Sequence, residues 1–142
     1  MSKKILIVDD NKEFGELMTD LLNLSGFSAS HSLNLHQAKK LIAACGKPDF
    51  LLLDYYLKEG TTEEFAISLK SASPDAKIIM ISGEVEDEGL QTIQNLVKEG
   101  IALDYIAKPF GETDFERVIL ALEDRDAPEH HPAPPPPPGR QT

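Results

Sequence analysis

The sequence predicts a doubly wound α/β domain, a three-layer sandwich whose five parallel strands run in the order 2-1-3-4-5 with helices on both faces. Three observations predict it. Five short apolar runs alternate with helix-like segments from Ile5 to Leu122. Three of the runs are continuous stretches rich in Ile, Leu and Val, which suits strands covered on both faces. The first, third, fourth and fifth runs are followed at once by Asp, Asp, Ser and Lys respectively. Right-handed crossovers then place strands 1 and 3 side by side at the point where the strand order reverses, and ligands tend to bind there.

The elements follow in chain order. Ile5–Val8 is the first strand, and Phe14, Leu17, Met18, Leu21 and Leu22 form the apolar face of the first helix at i, i+3, i+4, i+7 and i+8. Gly26 ends that helix, and Phe27–Ala29 is a weak second strand. Asn34 and Gln37 stand like a capping box ahead of Ala38, Leu41, Ile42 and Cys45, and Gly46 closes the helix. Cys45 is expected to pack rather than react. Phe50–Leu53 is the third strand, and Thr61 followed by Glu64 marks the start of the third helix. Ile78–Ile81 is the fourth strand; Leu90, Ile93 and Val97 give a fourth helical face closed by Gly100. Tyr105–Ala107 is the fifth strand, and Phe115, Val118, Ile119 and Leu122 repeat the helical spacing of the first helix.

Proline sets the predicted domain boundary. Seven of the ten prolines fall between Pro128 and Pro138, and no large apolar residue follows Arg125. Such a segment cannot bury enough apolar surface to offset its ordering entropy. Residues 1–125 are therefore read as the folded domain and 126–142 as a disordered proline-rich tail. The tail reads either as a linker or unstructured end, or as a docking peptide for an aromatic-lined groove.

Composition removes several function classes. Fourteen Lys and Arg against 24 Asp and Glu give a net charge of −10, which disfavours direct nucleic-acid or anionic-membrane binding. A single cysteine, Cys45, allows no internal disulfide and no cysteine-cluster metal site. No apolar run approaches the roughly 20 residues of a membrane span. The apolar stretch after Lys4 is too short for a signal-peptide core, so a cytoplasmic protein is expected.

The residues at the strand ends carry the chemistry. Asp9 and Asp10 follow the first strand, Asp54 the third, Ser82 the fourth, and Lys108 with Pro109 the fifth. Polar residues commonly cap strand ends, and an Asp-Asp-Asn run can simply start a helix. Together, however, these residues converge on one sheet edge. Three crowded carboxylates repel one another unless a cation neutralises them. Oxygen ligands without His or Cys suit a hard ion, and Mg²⁺ fits best because it shares its shell with phosphate. A hydroxyl and an ammonium facing such a metal complete a cradle for a transferred phosphoryl group.

At this point the sequence resembles the receiver domain of two-component response regulators, most closely the stand-alone chemotaxis-regulator type, over about residues 3–124. The resemblance rests on Ile5-Leu-Ile-Val-Asp-Asp10, Leu51-Leu-Leu-Asp54, Ile79-Met-Ile-Ser82-Gly83 and Tyr105-Ile-Ala-Lys108-Pro109-Phe110, in order and at family-like spacing. It implies a flavodoxin-like (βα)5 fold in which Asp54 is the phosphoacceptor. It further implies that Asp9, Asp10 and Asp54 hold Mg²⁺ with the backbone carbonyl of Tyr56. Ser82 and Lys108 would contact the new phosphoryl group, Tyr105 would be the switch aromatic, and the Lys108–Pro109 bond would be cis. The implied partners are a sensor histidine kinase or phosphotransfer protein that donates the phosphoryl group, and a downstream protein target that reads a surface around the fourth helix, fifth strand and fifth helix. Receivers also dimerise through that face. Such a protein catalyses only its own phosphorylation and dephosphorylation. No output domain follows the body, so the output is expected to be a protein contact.

Two positions depart from the pattern. Lys58 and Thr62 stand where many receivers have proline and glycine, so the loop after Asp54 is expected to differ in shape. Tyr56 is bulky and reads either as a shield against water attacking an acyl phosphate or as a partly exposed loop aromatic. Gly83 leaves room for a phosphodonor. A haloacid-dehalogenase-type phosphatase would need a second Asp where Asn11 stands, and an FMN carrier would need a phosphate-cradling loop where Asp9-Asp10-Asn11 would repel phosphate. The remaining alternative is a receiver fold used as a phosphorylation-independent interaction module or scaffold. His31 and His36 are expected at the surface or core edge, away from the carboxylates, and His130 and His131 in the tail.

Overall fold

The computed structural model describes residues 3–57, 62–83 and 87–123. The chain divides into two compact units, residues 1–110 and 111–142. The first holds the sheet: β1 (Lys4–Val8), α1 (Lys12–Leu24), β2 (Ser28–Ser32), α2 (Leu35–Cys45), β3 (Phe50–Asp54), α3 (Thr62–Ala72), β4 (Lys77–Ser82), α4 (Asp87–Lys98) and β5 (Asp104–Ala107). The second contains α5 (Glu112–Glu123), on which Val118 and Leu122 are buried. Thr61, read above as the start of the third helix, Lys58 of the loop after Asp54, and the proline-rich segment lie outside the described residues.

All strand pairs are parallel and the order is β2-β1-β3-β4-β5, as the alternation predicts. Alternate side chains of a strand point to opposite faces. Leu6, Val8, Leu51, Leu53, Ile78 and Met80 form one core with Leu35 and Ala38 of α2, Phe65, Ala66 and Leu69 of α3, and Ile93 and Leu96 of α4. The residues between them, Ile5, Ile7, Leu52, Ile79 and Ile81, are equally buried and face the other way, towards the side of α1 whose Met18 and Leu22 are buried.

Helix ends are fixed by the residues the sequence places there. The Asn11 carboxamide caps α1 by accepting from the Phe14 amide at 3.0 Å, and Asn34 caps α2 by accepting from Gln37 N at 2.8 Å. Gln37 Oε1 reaches back to accept from the Leu33 amide at 2.9 Å, one residue ahead of the cap. α1 stops where Gly26 takes φ 99°: its amide bonds Asn23 O and the Phe27 amide bonds Leu22 O, the paired closure that needs a left-handed residue.

The differences from the sequence reading are local. β2 begins after Phe27 and runs to Ser32, because its pairing with β1 is a main-chain ladder that does not require apolar side chains. β5 starts one residue earlier, at Asp104. Cys45 is exposed rather than packed, since it is the last residue of α2 and only Leu35 and Ala38 of that helix are fully buried. Leu17 shares the apolar spacing of α1 yet is 57% exposed.

The register decides where the polar residues fall. Val8 pairs with Leu53, so Asp9 and Asp54 leave neighbouring strands at the same level. Asp54 pairs with Ile81 and Ser82 with Ala107, so Ser82 and Lys108 follow at that edge.

Candidate functional site

Asp9 is the fixed point of the carboxyl edge. It is fully buried, and each of its polar atoms is engaged. Its amide donates to Ser32 O at 3.1 Å, and Oδ1 accepts from the Asn11 amide at 2.8 Å. Oδ2 meets the Lys108 ammonium at 2.8 Å, and the backbone carbonyl meets Nε2 of His31 at 2.8 Å. Asp10, by contrast, is exposed.

Asp54 ends β3 and is 5% exposed. Its Oδ1 accepts from the Tyr56 amide at 3.1 Å, and its Oδ2 lies 3.9 Å from Lys108 Nζ. Burial, reinforced by the negative charge of Asp9, pushes the Asp54 carboxyl up from 3.8 to about 7, against the opposing pull of Lys108 and the Tyr56 amide. Oxygens of Asp9, Asp10 and Asp54 lie within 4.8 Å of one another. Among the described residues one ammonium stands against three carboxylates, which leaves an excess of negative charge, and the donors are all oxygen. The residues therefore fit a hard divalent cation.

Lys108 is held from several sides. Its amide donates to Ser82 O at 2.7 Å and its peptide bond to Pro109 is cis. The ammonium also sits 4.9 Å from the centre of the Phe14 ring, whose edge-on partner is Phe110 at 5.4 Å. Ser82 is fully buried, and its hydroxyl has no hydrogen-bond partner among the described residues. A buried hydroxyl without a partner is costly and calls for an explanation, such as a ligand that the site receives.

The aromatic residues lie further out. Tyr56 is 44% exposed and meets Tyr55 edge-on at 5.0 Å. Tyr105 pairs with Met80 on β4, below the carboxylate cluster, and is half-buried against the main core. Burial, and then the nearby Tyr56, raises its phenol above the ordinary value. Thr62 closes the loop after β3 in its own way, its hydroxyl donating to Tyr55 O at 2.9 Å.

The structure thus brings Asp9, Asp10, Asp54 and Lys108 together, with Ser82 at the same edge and Tyr105 apart. It corrects the reading of His31 as remote from the carboxylates. With β2 ending at Ala29, His31 had no place at the edge; strand alternation carried on to Ser32, which pairs with Val8, would have put it there. His36 is exposed, as expected. Phe14, read only as part of a helix face, was missed as a neighbour of Lys108.

Comparison with known proteins identifies the arrangement. A model of the response regulator receiver domain matches residues 5–120. The phosphate regulon transcriptional regulatory protein PhoB of Pseudomonas aeruginosa is 34% identical over 136 residues, covering 94% of this chain and 57% of the relative. The photosynthetic apparatus regulatory protein RegA of Rhodovulum sulfidophilum is 30% identical over 117 residues, covering 82% and 61%. This chain therefore spans less than two thirds of either relative. Among solved structures, a CheY-like receiver domain protein of Methanospirillum hungatei shares the fold with a TM-score of 0.75 at 22% identity, over 89% of this chain and 98% of that one. A response regulator of Burkholderia pseudomallei, crystallised with a phosphorylated aspartic acid, calcium ion and citrate, matches with a TM-score of 0.69 at 27% identity, over 88% and 69%. With its five parallel strands in this order and an acidic cluster at their carboxyl ends, the chain belongs to the response regulator receiver domain family.

Proposed function

We propose that this receiver domain is a phosphoacceptor switch in which Asp54 takes a phosphoryl group from a sensor histidine kinase or phosphotransfer protein. The observation that carries the reading is the convergence of three carboxylates, a buried hydroxyl without a partner among the described residues, and an ammonium at one strand edge. The related Burkholderia pseudomallei protein, seen with a phosphorylated aspartic acid and a calcium ion, supports it.

In the proposed transfer, an Asp54 carboxylate oxygen attacks phosphorus, the bond from phosphorus to the donor's imidazole nitrogen breaks, and its electron pair stays on that ring. Asp9, Asp10, Asp54 and the Tyr56 carbonyl are the groups assigned to Mg²⁺, which when bound would neutralise phosphoryl charge. Lys108 turns from Asp9 towards the new phosphoryl oxygens, and Ser82 donates its hydroxyl to one of them. Tyr105, on β5, is assigned the switch role, moving with Ser82 to change the surface of α4 and β5 that a protein target reads. Tyr56 is assigned the shielding of the acyl phosphate from water. A net charge of −10 supports a protein rather than a nucleic acid as the partner of this chain. No described helix is long and apolar enough to cross a membrane.

The test is intact mass after incubation with a small phosphodonor and Mg²⁺, parent against Asp54→Ala. The expected result is one phosphoryl group gained, dependent on both Mg²⁺ and Asp54. A folded, Mg²⁺-binding parent that gains nothing would instead identify a scaffold that binds its partners unmodified.

A further inference from the structure

We propose that His31 is a positioning residue of the acidic site: from edge strand β2 it sets the direction of the Asp9–Asp10 peptide, and Gly15 is the helix position that makes room for it. The inference rests on the reading of the acidic cluster as a cation site. The carbonyl that His31 Nε2 meets at 2.8 Å belongs to the peptide joining Asp9 to Asp10. A carbonyl oxygen can only accept, so the hydrogen of this bond is on Nε2. The next residue of β2, Ser32, takes the Asp9 amide at 3.1 Å. Two consecutive residues of one strand thus hold the main chain of Asp9 by both its donor and its acceptor.

Gly15 explains why the ring can lie there. A Cβ built on Gly15 would stand 2.1 Å from both Cε1 and Nε2 of His31, and the atom would belong to the body of α1, which cannot swing aside. Glycine inside a helix costs stability relative to alanine, so its place at a buried position of α1 is accounted for by the ring against it. The contacts close a circuit. His31 holds the Asp9 carbonyl, Asp9 Oδ1 holds the Asn11 amide, Asn11 O accepts from the Gly15 amide at 3.0 Å, and Gly15 lies under the His31 ring. Asp10 sits inside that circuit with an exposed side chain, so the peptide that His31 holds sets where its carboxylate points. Partners that orient ligands in this way are typically worth about 10-fold or more in metal affinity.

Mg²⁺ titration of the full chain by calorimetry tests this, with thermal unfolding in EDTA as a check on the fold. His31→Met keeps the bulk without the donor, whereas His31→Gln offers an amide donor at similar reach. The double variant Gly15→Ala with His31→Ala fills the vacated space with a methyl group and serves where His31→Met does not fold. Expected is a roughly 10-fold weaker Mg²⁺ affinity in His31→Met and in the double variant, largely restored in His31→Gln. Parental affinity in a folded variant lacking the donor, or equal loss in His31→Gln and His31→Met, overturns the role. A parent whose Mg²⁺ binding is absent, or is indifferent to Asp10→Asn, would overturn the cation-site reading instead.

Discussion

Lys108 Nζ lies 2.8 Å from Asp9 Oδ2 but 3.9 Å from Asp54 Oδ2, so the ammonium pairs with the neighbour of the acceptor rather than with the acceptor itself. Asp9 is wholly buried, and without this partner its charge would be uncompensated. Lys108→Met should therefore lower stability in EDTA by about 1–3 kcal/mol, discounted from the fully buried case because Lys108 is partly exposed. A bound cation takes over the neutralisation, so the gap should narrow at saturating Mg²⁺. Urea unfolding of both proteins with and without Mg²⁺ measures it, and a gap that Mg²⁺ leaves unchanged would refute the explanation.

The raised Asp54 carboxyl makes a signed pH prediction for the metal-free protein. Its folded value, about 7, lies above the ordinary 3.8, so the folded state binds the extra proton between those limits. The group stabilises fully below about pH 4, and that contribution is lost as pH rises towards 7, by at most about 1.4 kcal/mol per pH unit. Asp54→Asn cannot ionise. Its stability relative to the parent should rise from pH 4 to pH 7 in EDTA and level off above; a flat difference would mean that Asp54 is ionised throughout.

Ser82→Ala should separate stability from function. The buried hydroxyl has no partner among the described residues, so its removal should leave stability unchanged or raise it by up to about 1 kcal/mol. Phosphoryl uptake from a small donor should fall several-fold, by about the worth of one charge-assisted hydrogen bond. Urea unfolding that shows a clear loss of stability would reveal a hydroxyl already satisfied in the resting protein.

Tyr56 stands two residues beyond the acceptor with nearly half its surface exposed. As a shield it makes the acyl phosphate long-lived, and Tyr56→Ala should speed its hydrolysis several-fold with little change in unfolding midpoint. Phosphate release followed after removal of the donor gives the rate. Rapid release from the parent, unchanged in the variant, would reduce Tyr56 to a loop aromatic.

The fold was legible because unbroken Ile, Leu and Val runs are what two-sided burial demands, and β1, β3 and β4 have them. Asp9, Asp10, Asp54 and Lys108 were legible for a related reason. Asp9 and Asp54 directly follow such runs, Asp10 is next in the chain, Lys108 directly follows the shorter Tyr-Ile-Ala strand, and the register sets these strand ends level. β2 was only half legible. Its sequence, Ser-Ala-Ser-His-Ser, carries little side-chain signal, and its place comes from main-chain pairing to β1. His31 was hidden by that same fault. Its role depends on a backbone carbonyl and on the missing Cβ of Gly15, neither of which leaves a trace in polar or apolar patterning. Cys45 and Leu17 were misjudged because periodicity reports which face a residue takes, not how far the covering layer reaches.

The composition of β2 also bears on how the protein behaves when concentrated. An outer strand shows a row of unsatisfied amides and carbonyls on which a foreign chain can template itself. Along β2 the residues at Ser28 and Ser30 are exposed and small, and the other outer strand, β5, is four residues long. A chain laid against β2 would gain main-chain bonds but almost no oily surface, too little to nucleate a spreading aggregate. Between those serines the Asn23 carboxamide already takes the amide and carbonyl of Ala29, which leaves a newcomer fewer groups to pair with.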